Sequence, residues 1–431
     1  MDQNIIQNAP LTKLNIFSWA GVQMRTFHIT WFSFFISFFS WFALAPLMPI
    51  IKAELGLTKD QIGNILIASV SATIFARLII GRLCDKFGPR KVYTVLLVLG
   101  AIPLSLVGLA TNYTSFLIFR LIIGCIGGSF VITQFHTSQM FAPNIKGTAN
   151  AVTGGWGNLG GGVTNILMPL VFTFIVGLGF TKAQSWRLSM ILPALLMLLC
   201  AVLYWKFTKD TPAGNFDEIG HLESKEKPNY KEVLLDWRVW ALTLAYAVCF
   251  GMEITFDGTA ALYFTEYSQN FKVSLELAGL LAGSFGLMNL FARAMGGWIA
   301  DKIGSFGGLG SKGILLSICL ILEGCGLIFF AQANNLTLAI ISMIFFALFL
   351  KMANGATYSI TPFVNVKNYG LVAGIVGAGG NIGGMLMGFL FKRNDLTYSQ
   401  AYAYIGYAAI FVGLIIAITK FNKEDTVISA V

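Results

Sequence analysis

Two arginines sit in the same setting 216 residues apart in a chain of 431. Arg77, Gly81, Asp85, Lys86 and Gly88 repeat as Arg293, Gly297, Asp301, Lys302 and Gly304, both fitting RxxxGxxxDKxG. Each arginine lies inside a long apolar stretch, where an uncompensated guanidinium costs roughly 2.5 to 3.5 kcal/mol. Neither has an acid three or four residues away on its own helix: Thr73, Ile74, Ile80 and Gly81 flank Arg77, and Asn289, Leu290, Gly296 and Gly297 flank Arg293. Neutralisation within the helix is excluded, so an anion from elsewhere is expected. A guanidinium is a planar fork whose parallel N–H donors suit a planar oxyanion bidentately, which a lysine ammonium cannot match. The alternative is a structural bridge to Glu253, Asp257 or Glu323 on another helix.

The elements that must position these residues are membrane spans. Apolar residues make up 56% of the chain and charged residues 11%, a balance outside the range of soluble domains. Stretches of spanning length are read at 28–50, 61–83, 92–111, 114–138, 148–178 and 187–207 (spans 1 to 6), then 238–264, 276–300, 313–333, 336–361, 370–391 and 400–420 (spans 7 to 12). The organisation expected is an N-terminal segment 1–27, a six-helix half 28–207, a linker 208–237, a six-helix half 238–420 and a tail 421–431. The linker is marked by Pro212, Gly214, Pro228 and eleven charges between Lys209 and Asp236. A duplicated pattern at half the chain length makes the halves homologous.

Lysine and arginine bias sets orientation. The termini and the loops at 84–91, 139–147, 206–238, 301–312 and 362–369 share one side with 18 basic residues if Arg82 is counted, against seven on the other. That side is expected to be cytoplasmic, with both termini inside. The net charge of +9 reflects this bias, and no basic cluster interleaved with aromatics points to nucleic acid. Six cysteines fall singly in or beside apolar segments without metal-ligand spacing, and no cofactor loop or nucleophile motif appears, so no metal, cofactor or enzymatic activity is expected. The first apolar run is a full span without a small-residue cleavage site and is expected to be retained.

A second repeat lies in spans 5 and 11. Gly154, Gly155, Gly157, Asn158, Gly160, Gly161 and Gly162 stand against Gly377, Gly379, Gly380, Asn381, Gly383 and Gly384. Glycines at this spacing allow backbone-to-backbone contact with an adjacent helix. Asn158 and Asn381 then bring buried amides that need partners. Glu253 and Asp257, four apart, share one face of span 7. They are either proton carriers or fixed counter-ions for Arg120 or Lys351.

Six plus six spans with GxxxDKxG after spans 2 and 8 resemble the major facilitator superfamily, whose signature after span 2 is matched by Gly81, Asp85, Lys86, Gly88, Arg90 and Lys91. The resemblance implies an all-α polytopic membrane protein of 12 helices in two pseudo-symmetric halves, with these residues gating. The other reading is a membrane-edge anchor. Arg120, ahead of Gly124, Gly127 and Gly128, resembles the superfamily's span 4 pattern and is read as structural or gating, with a substrate role as the alternative.

The paired arginines, the paired glycine helices and the segment FGMEITFDGTAALYF (Phe250 to Phe264) together resemble the nitrate/nitrite porter family, the last segment its high-affinity nitrate branch. This implies secondary transport of nitrate, and of nitrite, by alternating access with the glycine helices as sliding seams. It also implies that Phe135, Tyr246 and Phe250 sandwich the anion. Other small anions and a non-transporting sensor stay open as alternatives. The chain is expected to work as a monomer in the cytoplasmic membrane. An anion cannot accumulate against an inside-negative potential, at about 2.3 kcal/mol per charge per 100 mV, unless its charge is more than balanced. Nitrate/proton symport through Glu253 or Asp257 meets that need, and nitrate/nitrite exchange avoids it.

Overall fold

The computed structural model describes residues 9–219, 230–365 and 368–421. The centre of the expected linker (220–229) and all but Phe421 of the tail lie outside the described residues. Among the described residues the chain is helical, with only two isolated bridges, Leu11 to Phe141 and Thr211 to Gly214. Lipid offers backbone groups no hydrogen-bond partner, so a chain this apolar closes its N–H···O bonds within helices.

Among the described residues, ten helical stretches are long and apolar enough to cross a membrane. One of them, Leu275–Ala331, has 57 residues. As one straight helix at 1.5 Å per residue it would be about 86 Å long, more than twice the ~30 Å of hydrocarbon. It holds spans 8 and 9, and its backbone leaves the helical region at Gly308 (φ 69°, ψ −161°), a left-handed value that glycine alone adopts freely. The Gly21–Phe42 helix supplies span 1 and is less apolar, with Thr26, Thr30, Ser33, Ser37 and Ser40 buried in it. The sequence reading of span 1 as an unbroken 28–50 differs from the structure: the helix starts at Gly21, stops at Phe42 and restarts as Met48–Leu55. Pro46 lacks the N–H a continuous helix needs and disfavours the helical conformation at Ala45, while Pro49 fits the first turn of the next helix.

The chain divides into two compact units, Met1–Leu55 with Ser71–Lys225, and Gly56–Val70 with Glu226–Val431. In the first, span 5 (Pro143–Gly177) packs along span 1, and span 6 (Ile191–Phe207) along span 3 (Pro89–Leu106). A Cβ at Gly160 would fall 2.0 Å from Phe35 O, and one at Gly157 would fall 1.8 Å from the Phe34 ring. Only glycine lets these helices meet so closely. In the second unit span 11 (Tyr369–Lys392) closes on span 7 (Trp237–Leu262) the same way, a Cβ at Gly383 reaching 1.9 Å from Ala247 O. The glycine repeat therefore joins helices within each unit. The second unit's core is an aromatic cluster in which Phe256 meets Phe285, Phe330, Phe346 and Tyr402 at centroid distances of 4.5 to 5.9 Å.

Candidate functional site

In the first unit Arg77 is buried, its Nε donating to Gly127 O at 3.3 Å and its guanidinium carbon 5.0 Å from the centre of the Phe130 ring. The opposing helix is tightened here into a 3₁₀ turn, Cys125–Gly128, a local departure that often marks functional positions. Thr73, one turn before Arg77, donates to Gly124 O at 2.7 Å and fixes the two helices in register. A Cβ at Gly127 would strike Thr73 Oγ1 at 2.6 Å, so glycine is what lets that carbonyl reach Arg77. Gly154 lies beside Phe130 and Gln134 with ordinary spacing, the nearest atom 3.5 Å from where its Cβ would stand. Asn158 is buried, and neither its Nδ2 nor its Oδ1 has a hydrogen-bond partner among the described residues.

Phe130 was not singled out from the sequence. Phe135, expected there by resemblance, is half-buried and five residues further along the same helix, about 140° round its axis. Spacing alone does not say which of these rings faces span 2. Arg120 is buried and donates from Nη1 to Trp41 O at 3.2 Å, tying span 4 to span 1.

In the second unit Arg293 lies three residues after another 3₁₀ turn, Met288–Leu290. Its guanidinium carbon lies 5.8 Å from the Phe250 ring centre, and Phe250 stacks on Tyr246 at 5.0 Å with the planes 3° apart. Gly380 makes room for this ladder: a Cβ there would fall 2.7 Å from both rings. Tyr358 stands edge-on to Tyr246 at 5.0 Å, and its hydroxyl is 3.2 Å from where a Cβ of Gly377 would stand. Asn381 Nδ2 donates to Gly377 O at 3.1 Å, leaving Oδ1 without a partner among the described residues.

Glu253 is wholly buried at the centre of this cluster. Its Oε1 lies 2.8 Å from Lys351 Nζ and accepts from Asn289 Nδ2 at 2.8 Å. Its Oε2 accepts from Asn354 Nδ2 at 2.7 Å and lies 3.5 Å from Arg293 Nη2. Lys351 also sits 4.3 Å from the Phe285 ring centre. Coulombic attraction falls with distance, so Lys351 is the principal counter-ion of Glu253 and Arg293 the looser one. Arg293 Nε has no hydrogen-bond partner among the described residues. The bridging alternative open in the sequence is therefore present at Glu253, with Lys351 as well as Arg293. Lys351, which the sequence offered with Arg120 as a mate for this acid, is the one taken. Asn289 and Asn354 were missed: the one signal available was that a carboxylate deep in an apolar span needs hydrogen-bond partners. Asp257, one turn further along span 7, and Glu323 of span 9 are also buried, and Asp257 Oδ1 and both Glu323 carboxyl oxygens have no hydrogen-bond partner among the described residues.

The signature residues lie at the helix ends. Gly88 (φ 83°) turns span 2 into span 3, and a Cβ there would collide with the Asp210 carboxylate at 2.5 Å. Asp210 is buried and accepts from Arg90 N at 2.8 Å and Phe216 N at 3.1 Å. Burial raises its pKa above the ordinary 3.8, against the opposing pull of those two N–H groups. Arg90 packs on Trp205 at 4.3 Å and donates to Trp205 O at 2.8 and 3.0 Å, while Lys91 pairs with Asp217. Asp301 pairs with Lys312, just ahead of span 9, at 2.5 Å, and Lys312 also fills the space beside Gly304. Lys86 and Lys302 lie over Phe87 and Trp298 at 5.1 and 5.2 Å, and Asp85 is exposed. Gly81 and Gly297 are loosely packed, and the close approach of spans 8 and 10 runs instead through Gly296 and Gly355, where a Cβ would fall 2.2 Å from Met352 O and 2.0 Å from Arg293 O.

The sequence model of the Major Facilitator Superfamily matches residues 30–388. The high affinity nitrate transporter 2.5 of Arabidopsis thaliana is 37% identical over 421 residues, 96% of this chain and 82% of that protein. Nitrate transporter 2.1 of Chlamydomonas reinhardtii is 36% identical over 402 residues, 91% of this chain and 73% of that protein. The nitrate/nitrite transporter NrtP of Nostoc punctiforme is 29% identical, covering 93% of this chain and 92% of that protein. Among solved structures, the inward-open xylose transporter XylE of E. coli superposes with a TM-score of 0.67 at 13% identity, over 93% of this chain and 97% of that one. These matches, over a fold of membrane-spanning helices, make the chain a multi-pass membrane protein of the major facilitator superfamily and, within it, a member of the nitrate/nitrite porter family.

Proposed function

We propose that this protein carries nitrate, and nitrite, across the cytoplasmic membrane by alternating access, with both termini in the cytoplasm. Arg77 and Arg293 are the anion-binding cations. The observation that carries this reading is the state of Arg293: it is buried, it faces the Phe250 ring, and among the described residues its Nε has no hydrogen-bond partner and its one acid stands at 3.5 Å. A guanidinium so placed keeps donors in hand for a planar oxyanion. The named activities of relatives spanning most of the chain support nitrate as that anion. The amide of Asn158 and the Oδ1 of Asn381, without hydrogen-bond partners among the described residues, are further polar groups for a hydrated anion's path.

Net uptake is coupled to protons in this reading. Both oxygens of Glu253 are held by short contacts to Lys351 and two amides, so it serves as a counter-ion. Asp257, one turn away with an oxygen that has no hydrogen-bond partner among the described residues, is then the carboxyl that carries a proton. The gating assignments of the signature residues, and function as a monomer, belong to the same proposal. Purified protein in liposomes tests it. Nitrate uptake is measured with no internal anion and with internal nitrite, each with and without an inward proton gradient. Saturable uptake driven by the gradient alone is expected, and uptake only with internal nitrite would replace symport by exchange.

A further inference from the structure

The buried cluster around Glu253 holds a carboxylate with two cationic neighbours on unequal terms. Every oxygen of Glu253 has a short partner other than Arg293: Lys351 Nζ and Asn289 Nδ2 at 2.8 Å on Oε1, and Asn354 Nδ2 at 2.7 Å on Oε2. Arg293 alone stands off, at 3.5 Å. Glu253 can therefore lose Arg293 and stay a satisfied buried carboxylate, whereas Arg293 has no other acid within ion-pair distance among the described residues. Asp257 and Glu323 are the remaining acids of the cluster and Cys249, whose Sγ bonds Asn354 Oδ1 at 3.1 Å, its remaining thiol.

We infer that Glu253 is a built-in substitute for the transported anion. In the unloaded carrier its carboxylate partly neutralises Arg293. An arriving anion takes the guanidinium, and Glu253 falls back on Lys351, Asn289 and Asn354. When the anion leaves, the carboxylate re-engages, so the empty carrier never isolates a bare buried guanidinium, whose desolvation would otherwise forbid the return step. A carrier without this device moves only when loaded and is confined to exchange. With it, net transport is open. The assignment rests on the nitrate reading and adds to it which residue permits the empty return.

The test compares two rates in the same proteoliposomes: net nitrate uptake with no internal anion, and tracer exchange with equal nitrate on both sides. Their ratio does not depend on how much protein is active. In Glu253→Gln the ratio of net uptake to exchange falls about tenfold or more. Glu253→Gln combined with Lys351→Met, which removes the stranded ammonium, shows the same fall and covers the case in which the single variant folds poorly. Lys351→Met alone turns Glu253 wholly towards Arg293, so the nitrate KM for exchange rises about threefold or more while the ratio is kept. A ratio within about twofold of wild type in the glutamine variants, an unchanged KM in Lys351→Met, or loss of both rates in all three variants as folded proteins overturns the inference and leaves Glu253 a structural bridge. A wild-type protein that moves no nitrate in either assay sinks the nitrate reading instead.

Discussion

Glu253 and Lys351 form an ion pair at 2.8 Å in which both side chains are buried, the lysine completely. Span 7 supplies the acid and span 10 the base, 98 residues apart in sequence. Breaking such a pair strands a charge where water cannot reach it. Lys351→Ala or Glu253→Ala is expected to cost about 3 to 5 kcal/mol of stability. The paired change Glu253→Gln with Lys351→Met should recover most of that loss. Thermal unfolding of the purified variants in detergent checks the order.

Glycines of the two repeats divide into those that carry a helix contact and those that do not. At Gly160 and Gly383 an alanine methyl would sit 2.0 Å from Phe35 O and 1.9 Å from Ala247 O. Gly160→Ala and Gly383→Ala are expected to lose about 1 to 3 kcal/mol through overpacking. Gly154→Ala, whose nearest neighbour would be 3.5 Å away, should stay within about 0.5 kcal/mol of wild type. The same melting measurement separates the two classes.

The aromatic partner of Arg77 is open to a direct comparison. A cation over a ring is worth about 0.5 to 2 kcal/mol. Phe130→Ala is therefore expected to raise the nitrate KM about threefold to tenfold. Phe135→Ala, on another face of the same helix, should change it less. Equal effects at both positions would remove the role given to the 5.0 Å contact of Arg77 with Phe130.

Much of this was legible in the sequence, and the limits have physical causes. The repeated RxxxGxxxDKxG and GxxGNxGG sites led to the family, because each needs a residue type that lipid would otherwise exclude. Arg293, Glu253 and the ring ladder of Phe250 and Tyr246 do gather in one unit. What spacing could not supply was the partner chosen across a helix interface. Phe130 against Phe135, or Lys351 against Arg120 as the mate of Glu253, depends on helix rotation, which 37 phenylalanines, most of them in apolar spans, leave undetermined. The break of span 1 at Pro46 was readable from proline chemistry but is masked by the unbroken apolar run around it.

Asp210 makes a prediction about pH. Its pKa is raised by burial, so the folded chain holds that proton more tightly than the unfolded one. Its contribution to stability is complete below the ordinary value of 3.8 and diminishes as pH rises through the raised folded value. Asp210→Asn should flatten the pH dependence of the melting temperature between those two values. Asp210→Ala, which removes both acceptors of the Arg90 and Phe216 N–H groups, should cost about 2 to 3 kcal/mol at any pH.

The most direct test of the account is nitrate uptake into proteoliposomes by Arg77→Lys and Arg293→Lys beside the wild type, at equal amounts of folded protein. Lysine keeps the charge and loses the planar fork. The expected result is saturable wild-type uptake that falls about tenfold or more in each variant. Variants that carry nitrate as well as the wild type would contradict the assignment of these two arginines as the anion-binding groups.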